Sequence, residues 1–261
     1  KVLAKRGERI GAMLIVGGNE VVPFHRLPNP TDDVDDEIYS DNPYGSVDNN
    51  YFLTNWPLGR IIGEKGQDAG LLIQQLRQIV KFHMQPKSVN NVWDRIVRSF
   101  TNIFTYKYLS SVGYSASVWK KSSSTVYKTL GETKSLFVSP NDKKLNLTKQ
   151  DLVGSDFGYF NLHGVVDRPE WFGQRDYLDP PGNDYPVALT PEDLISNGKS
   201  PKVVLTEACY GGHVFGKNEN ESIALKYLSI GTNVVIGSTS TSYGSVAPPL
   251  IAADLFIIRE E

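Results

Sequence analysis

Two short segments of this 261-residue chain carry residue types that do chemistry together. The apolar and aromatic run Phe157 to Leu162 stops at His163-Gly164, and the β-branched run Val203 to Thr206 passes straight into Glu207-Ala208-Cys209-Tyr210-Gly211-Gly212. Each run reads as a buried strand that ends at a loop. Strands joined by a helical crossover are parallel and right-handed, so both should end at the same edge of one sheet. Neighbouring strands lie ~4.8 Å apart, which brings an imidazole and a thiol at their ends to hydrogen-bonding reach or one small shift from it. A cysteine beside an imidazole has its pKa lowered to ~3.5–7.5 and is a nucleophile at neutral pH. Gly164 lets the backbone approach a bound carbonyl closely, so its N–H and that of Cys209 can receive the oxyanion of a tetrahedral intermediate. Taken singly, Cys209 reads rather as a small buried hydrophobe and His163 as a polar strand cap. Occurring together, each at a strand end beside glycine, they favour the catalytic reading. His213 competes as base but follows a glycine turn on the thiol's own loop, where it seldom reaches back, so it ranks below His163.

The elements that must position this pair follow an alternating grammar. Ala12 to Val16, closed by Gly17-Gly18, reads as a strand, and the Pro-, Asp- and Asn-rich stretch from 28 to 50 as an exposed irregular loop. Apolar residues at helical spacing predict an amphipathic helix from Gln67 to Met84, a second through Trp93, Ile96, Val97, Phe100 and Phe104, a third over Ser222 to Ile230 and a last over Leu250 to Ile258. Ser122 to Thr125 reads as a polar break, Ser135 to Val138 as a short strand and Val234 to Gly237 as another. Thr190, Pro191 and Asp193 form an N-cap, a first-turn proline and a capping-box acid, with Gly198 as a stop. The expectation is an α/β fold in a three-layer α/β/α sandwich with a mostly parallel sheet, residues 1–261 forming a single domain.

Composition narrows the function classes. Hydrophobic residues make up 40% and charged residues 21%, which excludes disorder, collagen and coiled coil. Lys+Arg of 27 against Asp+Glu of 29, a formal net charge of −2, leaves no basic stripe for nucleic acid. No apolar run reaches the ~18–20 residues of a membrane span. The single cysteine excludes an internal disulfide and any multi-cysteine metal site. The chain as written favours a cytoplasmic location, with secretion the alternative if a leader is removed; Lys1 in place of Met is what a processed or excised piece would show. Gly198-Lys199-Ser200 copies the end of a phosphate-binding loop, but Asp193 stands where that loop needs glycine.

His163-Gly164 after an aromatic strand, with Thr206 to Gly212 downstream, resembles the caspase-type cysteine peptidases, and within them the gingipains. Ser40-Asp41-Asn42-Pro43-Tyr44-Gly45 followed by Pro57-Leu58-Gly59-Arg60 is similar to the gingipain acidic loop and the strand after it, and Val234 to Ser245 to the strand and Ser/Thr-rich loop that wall the P1 pocket. The resemblance implies a caspase-hemoglobinase fold, truncated here at one or both ends, and a cysteine endopeptidase with Cys209 as nucleophile and His163 as base. It also implies Asp41 as an orienting acid, and protein or peptide substrates. Ser242, Tyr243, Tyr51, Asp48 and Trp171 are the substrate-binding candidates; Tyr51 stands where a gingipain has its P1-selecting acid, which argues against a basic P1 unless Asp48, Asp167 or Glu170 substitutes. An activating partner or a separate C-terminal fragment is a further expectation. No cofactor is expected; structural calcium at Asp32, Asp35 and Asp41 is the lesser alternative, since their spacing fits no EF-hand. The rival reading is a catalytically inactive scaffold or binding module of the same fold.

Overall fold

The computed structural model describes residues 10–51, 53–63, 65, 69–84, 110–132, 135–140, 149–195 and 199–243. In chain order the elements are β1 (Met13–Val16), β2 (His25–Pro28), β3 (Glu37–Ser40), β4 (Leu58–Ile61), α1 (Gly70–Met84), β5 (Ser111–Ala116), α2 (Lys120–Tyr127), β6 (Leu136–Ser139), α3 (Lys149–Gly154), β7 (Phe157–Asn161), β8 (Trp171–Phe172), β9 (Val187–Leu189), β10 (Val203–Thr206), α4 (Ile223–Ile230) and β11 (Val234–Ile236). Five strands form the central sheet in the order β11-β10-β7-β5-β6, every pair parallel. β1 and β4 form a separate parallel pair, while β2–β3 and β8–β9 are antiparallel ribbons.

Helices cover both faces of the central sheet, giving the three-layer α/β/α arrangement, and alternation along β7 decides what each face buries. Tyr159 joins Val126 and Tyr127 of α2 and Leu136 of β6 on one face. Phe160, the next residue, joins Leu152 and Val153 of α3, Ile223 and Tyr227 of α4, and Val204 of β10 on the other. α4 starts where the Ser222 hydroxyl accepts the Leu225 N–H and stops where Gly231, at φ 114°, sends its N–H back to the last turn. Its other side packs Leu225 and Leu228 against Leu71 of α1 and Ile62.

Several sequence expectations shift here. The polar break at 122–125 lies inside α2, because buried hydroxyls replace apolar contacts there: Ser123 Oγ and Ser115 Oγ share a hydrogen bond of 2.7 Å. The stretch from 28 to 50 contains β3 and a 3₁₀ turn at Asn42–Gly45. The capping box at Thr190 and Asp193 forms, yet it caps one 3₁₀ turn; Gly198 lies outside the described residues, as do the expected helices at 93–104 and 250–258. Among the described residues no helix is long and apolar enough to cross a membrane.

Candidate active site

β7 and β10 are neighbours with Phe160 opposite Thr206, and His163 and Cys209 follow three residues beyond that pair, at the carboxyl edge of the sheet. This is the edge where open α/β sheets hold ligands. Contact between the two turns is tight. A Cβ built on Gly164 would fall 1.9 Å from the Cys209 carbonyl oxygen, so only glycine lets the loops meet. Among the described residues neither the Gly164 nor the Cys209 N–H has a protein acceptor, which leaves both for an incoming oxygen. Gly211, Gly212 and Gly237 pack with comparable closeness: a Cβ on Gly212 would meet the Gly237 carbonyl at 2.4 Å. The turn away from the thiol therefore nests directly on the loop after β11.

His163 is held on three sides. Its backbone N–H and C=O pair with Phe172 of β8 at 2.8 Å each, and two residues on, Gln174 Oε1 accepts from the ring Nε2 at 2.8 Å. With Oε1 accepting, Nε2 carries the proton and Nδ1 keeps the lone pair of a base. Trp119 lies against the imidazole with centroids 4.4 Å apart, and Tyr185 meets it edge-on at 5.4 Å. None of Gln174, Trp119 and Tyr185 carries a local sequence signal; the β8–β9 ribbon and the turn after β5 bring them in.

The Cys209 thiol is not hydrogen-bonded to His163 in this conformation. Sγ accepts the Ser242 N–H at 3.3 Å and its S–H points at the Ser242 carbonyl at 3.5 Å. Tyr210, the next residue, has φ 56°, a left-handed backbone that side-chain-bearing residues adopt at a cost of ~1–2 kcal/mol. Three hydrogen bonds hold it there: its N–H to the Ser240 carbonyl and the His213 N–H to its own carbonyl, both 2.9 Å, and its hydroxyl to Asp35 at 2.8 Å. Burial, and then Asp35, raise the Tyr210 phenol above its ordinary pKa, so it stays a donor.

The expected residues divide by what they touch. Ser242 lies on the thiol, and Tyr243, 63% exposed, donates its hydroxyl to Asp33 at 2.6 Å. Asp41 does not orient His163: both its oxygens are taken by Arg60 (2.8 and 2.6 Å), whose guanidinium also donates to the Gly17 and Val22 carbonyls and lies over Phe24. A largely buried guanidinium needs such a counter-charge, and Asp41 supplies it. Trp171 is a core residue, 4% exposed and packed on Phe160. Among the described residues Asp48 and Tyr51 bond within the segment between β3 and β4, Asp48 accepting the Asn50 N–H, the Tyr51 hydroxyl reaching Asn49 and the Tyr51 carbonyl accepting from Asn42 Nδ2. Of the calcium candidates, Asp35 receives Tyr210 and Thr241, Asp41 receives Arg60, and Asp32 is exposed. Among the described residues no three His, Cys, Asp or Glu side chains gather as a metal would need. His213 donates Nδ1–H to the Thr239 carbonyl at 3.0 Å, and burial lowers its pKa.

No protein-family model, curated protein or solved structure matches this chain.

Proposed function

We propose that this chain is a cysteine endopeptidase of the caspase-hemoglobinase type, with Cys209 as nucleophile and His163 as general base and acid. The observation that carries the reading is the placement of His163 and Cys209 just past the carboxyl ends of adjacent parallel strands, with Gly164 pressed on the Cys209 carbonyl and two acceptor-free N–H groups beside it. In the reaction Nδ1 of His163 takes the thiol proton and Sγ bonds to the substrate carbonyl carbon, whose oxygen becomes an oxyanion facing the Gly164 and Cys209 N–H groups. The imidazolium then returns its proton to the departing amine nitrogen as the C–N bond breaks. Water, losing a proton to His163, next attacks the thioester carbonyl, and the acid product leaves as Sγ is reprotonated. Gln174 fixes the tautomer this sequence needs, and Trp119 holds the plane of the ring.

A fluorogenic peptide library varied at P1 tests the reading with wild type, Cys209→Ala and His163→Ala. Cleavage by wild type, lost at least about 10³-fold in either variant, is the expected result. Cleavage that survives Cys209→Ala would sink it. The second reading, a scaffold without catalysis, draws on the thiol's pairing with Ser242 in place of His163; it predicts that Cys209→Ala leaves partner binding intact and that no peptide is cut.

A further inference from the structure

The loop between β2 and β3 reaches across the molecule to the segment that faces the thiol. Asp35 accepts three hydrogen bonds there: the Tyr210 hydroxyl on Oδ1 at 2.8 Å, and the Thr241 N–H and hydroxyl on Oδ2, each at 3.0 Å. Asp33 accepts the Tyr243 hydroxyl at 2.6 Å, and the Tyr39 carbonyl at the end of the ribbon accepts the Thr239 hydroxyl at 2.6 Å. These contacts grip residues 239, 241 and 243, on both sides of Ser242, and they grip Tyr210 next to the nucleophile. The ribbon is itself braced, because Asn29 donates to Asp33 at 2.7 Å and to the Asp35 carbonyl at 2.8 Å. Its tip, Val34, is 87% exposed.

The geometry points to this loop as a latch on the thiol, with Asp35 as its positioning residue. While Asp35 bridges Tyr210 and Thr241, the Ser242 carbonyl stays where it takes the S–H proton, and that proton is turned away from His163. Releasing the bridge leaves the stretch held by the 3.3 Å contact between the Tyr210 and Thr241 hydroxyls and by Tyr243 on Asp33, which loosens Ser242 between them, and the thiol can then hand its proton to the imidazole. The inference rests on Cys209 as the reactive thiol and adds its regulation: displacement of the exposed ribbon tip arms the site. Left-handed Tyr210 makes the bridge a sensitive point, since a strained backbone persists only while its surroundings hold it.

The test is alkylation of the chain's single cysteine by iodoacetamide, followed by mass, in wild type, Asp35→Ala and Asp35→Asn, with thermal melts of each. Alkylation needs neither a peptide substrate nor catalysis, so it reads the latch even where no peptide is cleaved. Asp35→Ala should speed alkylation about fivefold or more at neutral pH, and Asp35→Asn, which keeps one acceptor oxygen, should fall between. A folded Asp35→Ala variant that alkylates at the wild-type rate or more slowly overturns the latch. Should that variant not fold, Tyr210→Phe combined with Tyr243→Phe removes two of the donors and leaves the carboxylates; a rise supports the latch, and an unchanged rate counts against it.

Discussion

Gly164 is the residue on which the two halves of the site depend. Its missing side chain lets the turn after β7 lie against the Cys209 carbonyl, and a methyl group at 1.9 Å from that oxygen has no flexible neighbour to push aside. Backbone must move. Gly164→Ala should therefore destabilise the fold by about 1–3 kcal/mol, read as a drop in urea midpoint, and under the proposed function should abolish cleavage by separating imidazole from thiol. A variant with wild-type stability and activity would show that the loops do not meet this way. His213 gives a pH prediction at the same scale. Burial lowers its folded pKa below the ordinary 6.5, so between those two values the unfolded chain holds a proton that the folded chain does not. Its contribution is complete above pH 6.5 and is lost as pH falls through 6.5 towards the folded value. His213→Gln should flatten the loss of Tm on the acid side of pH 6.5, and NMR titration should put the His213 midpoint below 6.5; a midpoint above it would remove the basis for the claim.

Elements whose burial comes from apolar side chains were legible, and those built on hydroxyls were not. β7 and β10 are short apolar runs because parallel strands inside a sheet are covered on both faces, β1 and β11 are as apolar although Leu14, Val16 and Val234 are exposed, and the register of β7 and β10 brings their ends to one edge of the sheet. β5, with Ser, Gly and Ser among its six residues, offers no such run although five of them are buried. α2 begins Lys-Lys-Ser-Ser-Ser-Thr and looks like a break; it is a helix because Ser123 reaches Ser115 of β5 and accepts from Asn161 Nδ2 of β7 at 3.0 Å. A hydroxyl's partners lie 8 and 38 residues away, and no local pattern reports them. The same limit hid Gln174, which meets His163 only because β8 bridges to it. Asp41 failed for a related reason: Arg60 of β4, a strand of another sheet, pairs with its charge. The buried hydroxyl network makes its own prediction. Ser123→Ala orphans Asn161 at the end of the strand that carries His163, and should cost about 1–3 kcal/mol, measured by urea unfolding, where a surface serine costs next to nothing. A change under about 0.5 kcal/mol would mean that the network contributes no net stability.

For the whole chain the question is whether the β1–β4 pair and the central sheet unfold together. α4 is the element that decides it. Ile223 and Tyr227 lie in the core shared with Phe160, Trp171 and Val204, while Leu225 and Leu228, on the same eight-residue helix, lie in the cluster of Ile62 and Leu71. The second cluster is also tied by polar bonds, Gln75 Nε2 donating to the Ile62 carbonyl at 2.5 Å and Gln74 Nε2 to the Ser229 carbonyl at the end of α4. A helix that seats one side in each core cannot leave one and stay in the other, so loss of either should unwind both. Leu225 is fully buried, and Leu225→Ala should cost about 2–5 kcal/mol, the cavity adding to the lost transfer energy. If the two cores are one cooperative unit, this substitution, made in a background with Trp56 and Trp93 replaced by phenylalanine so that fluorescence reports Trp119 and Trp171 beside the central sheet, moves tryptophan fluorescence and far-UV circular dichroism to the same lower urea midpoint. If fluorescence keeps its wild-type midpoint while dichroism acquires an early step, the β1–β4 pair with α1 is a separable unit.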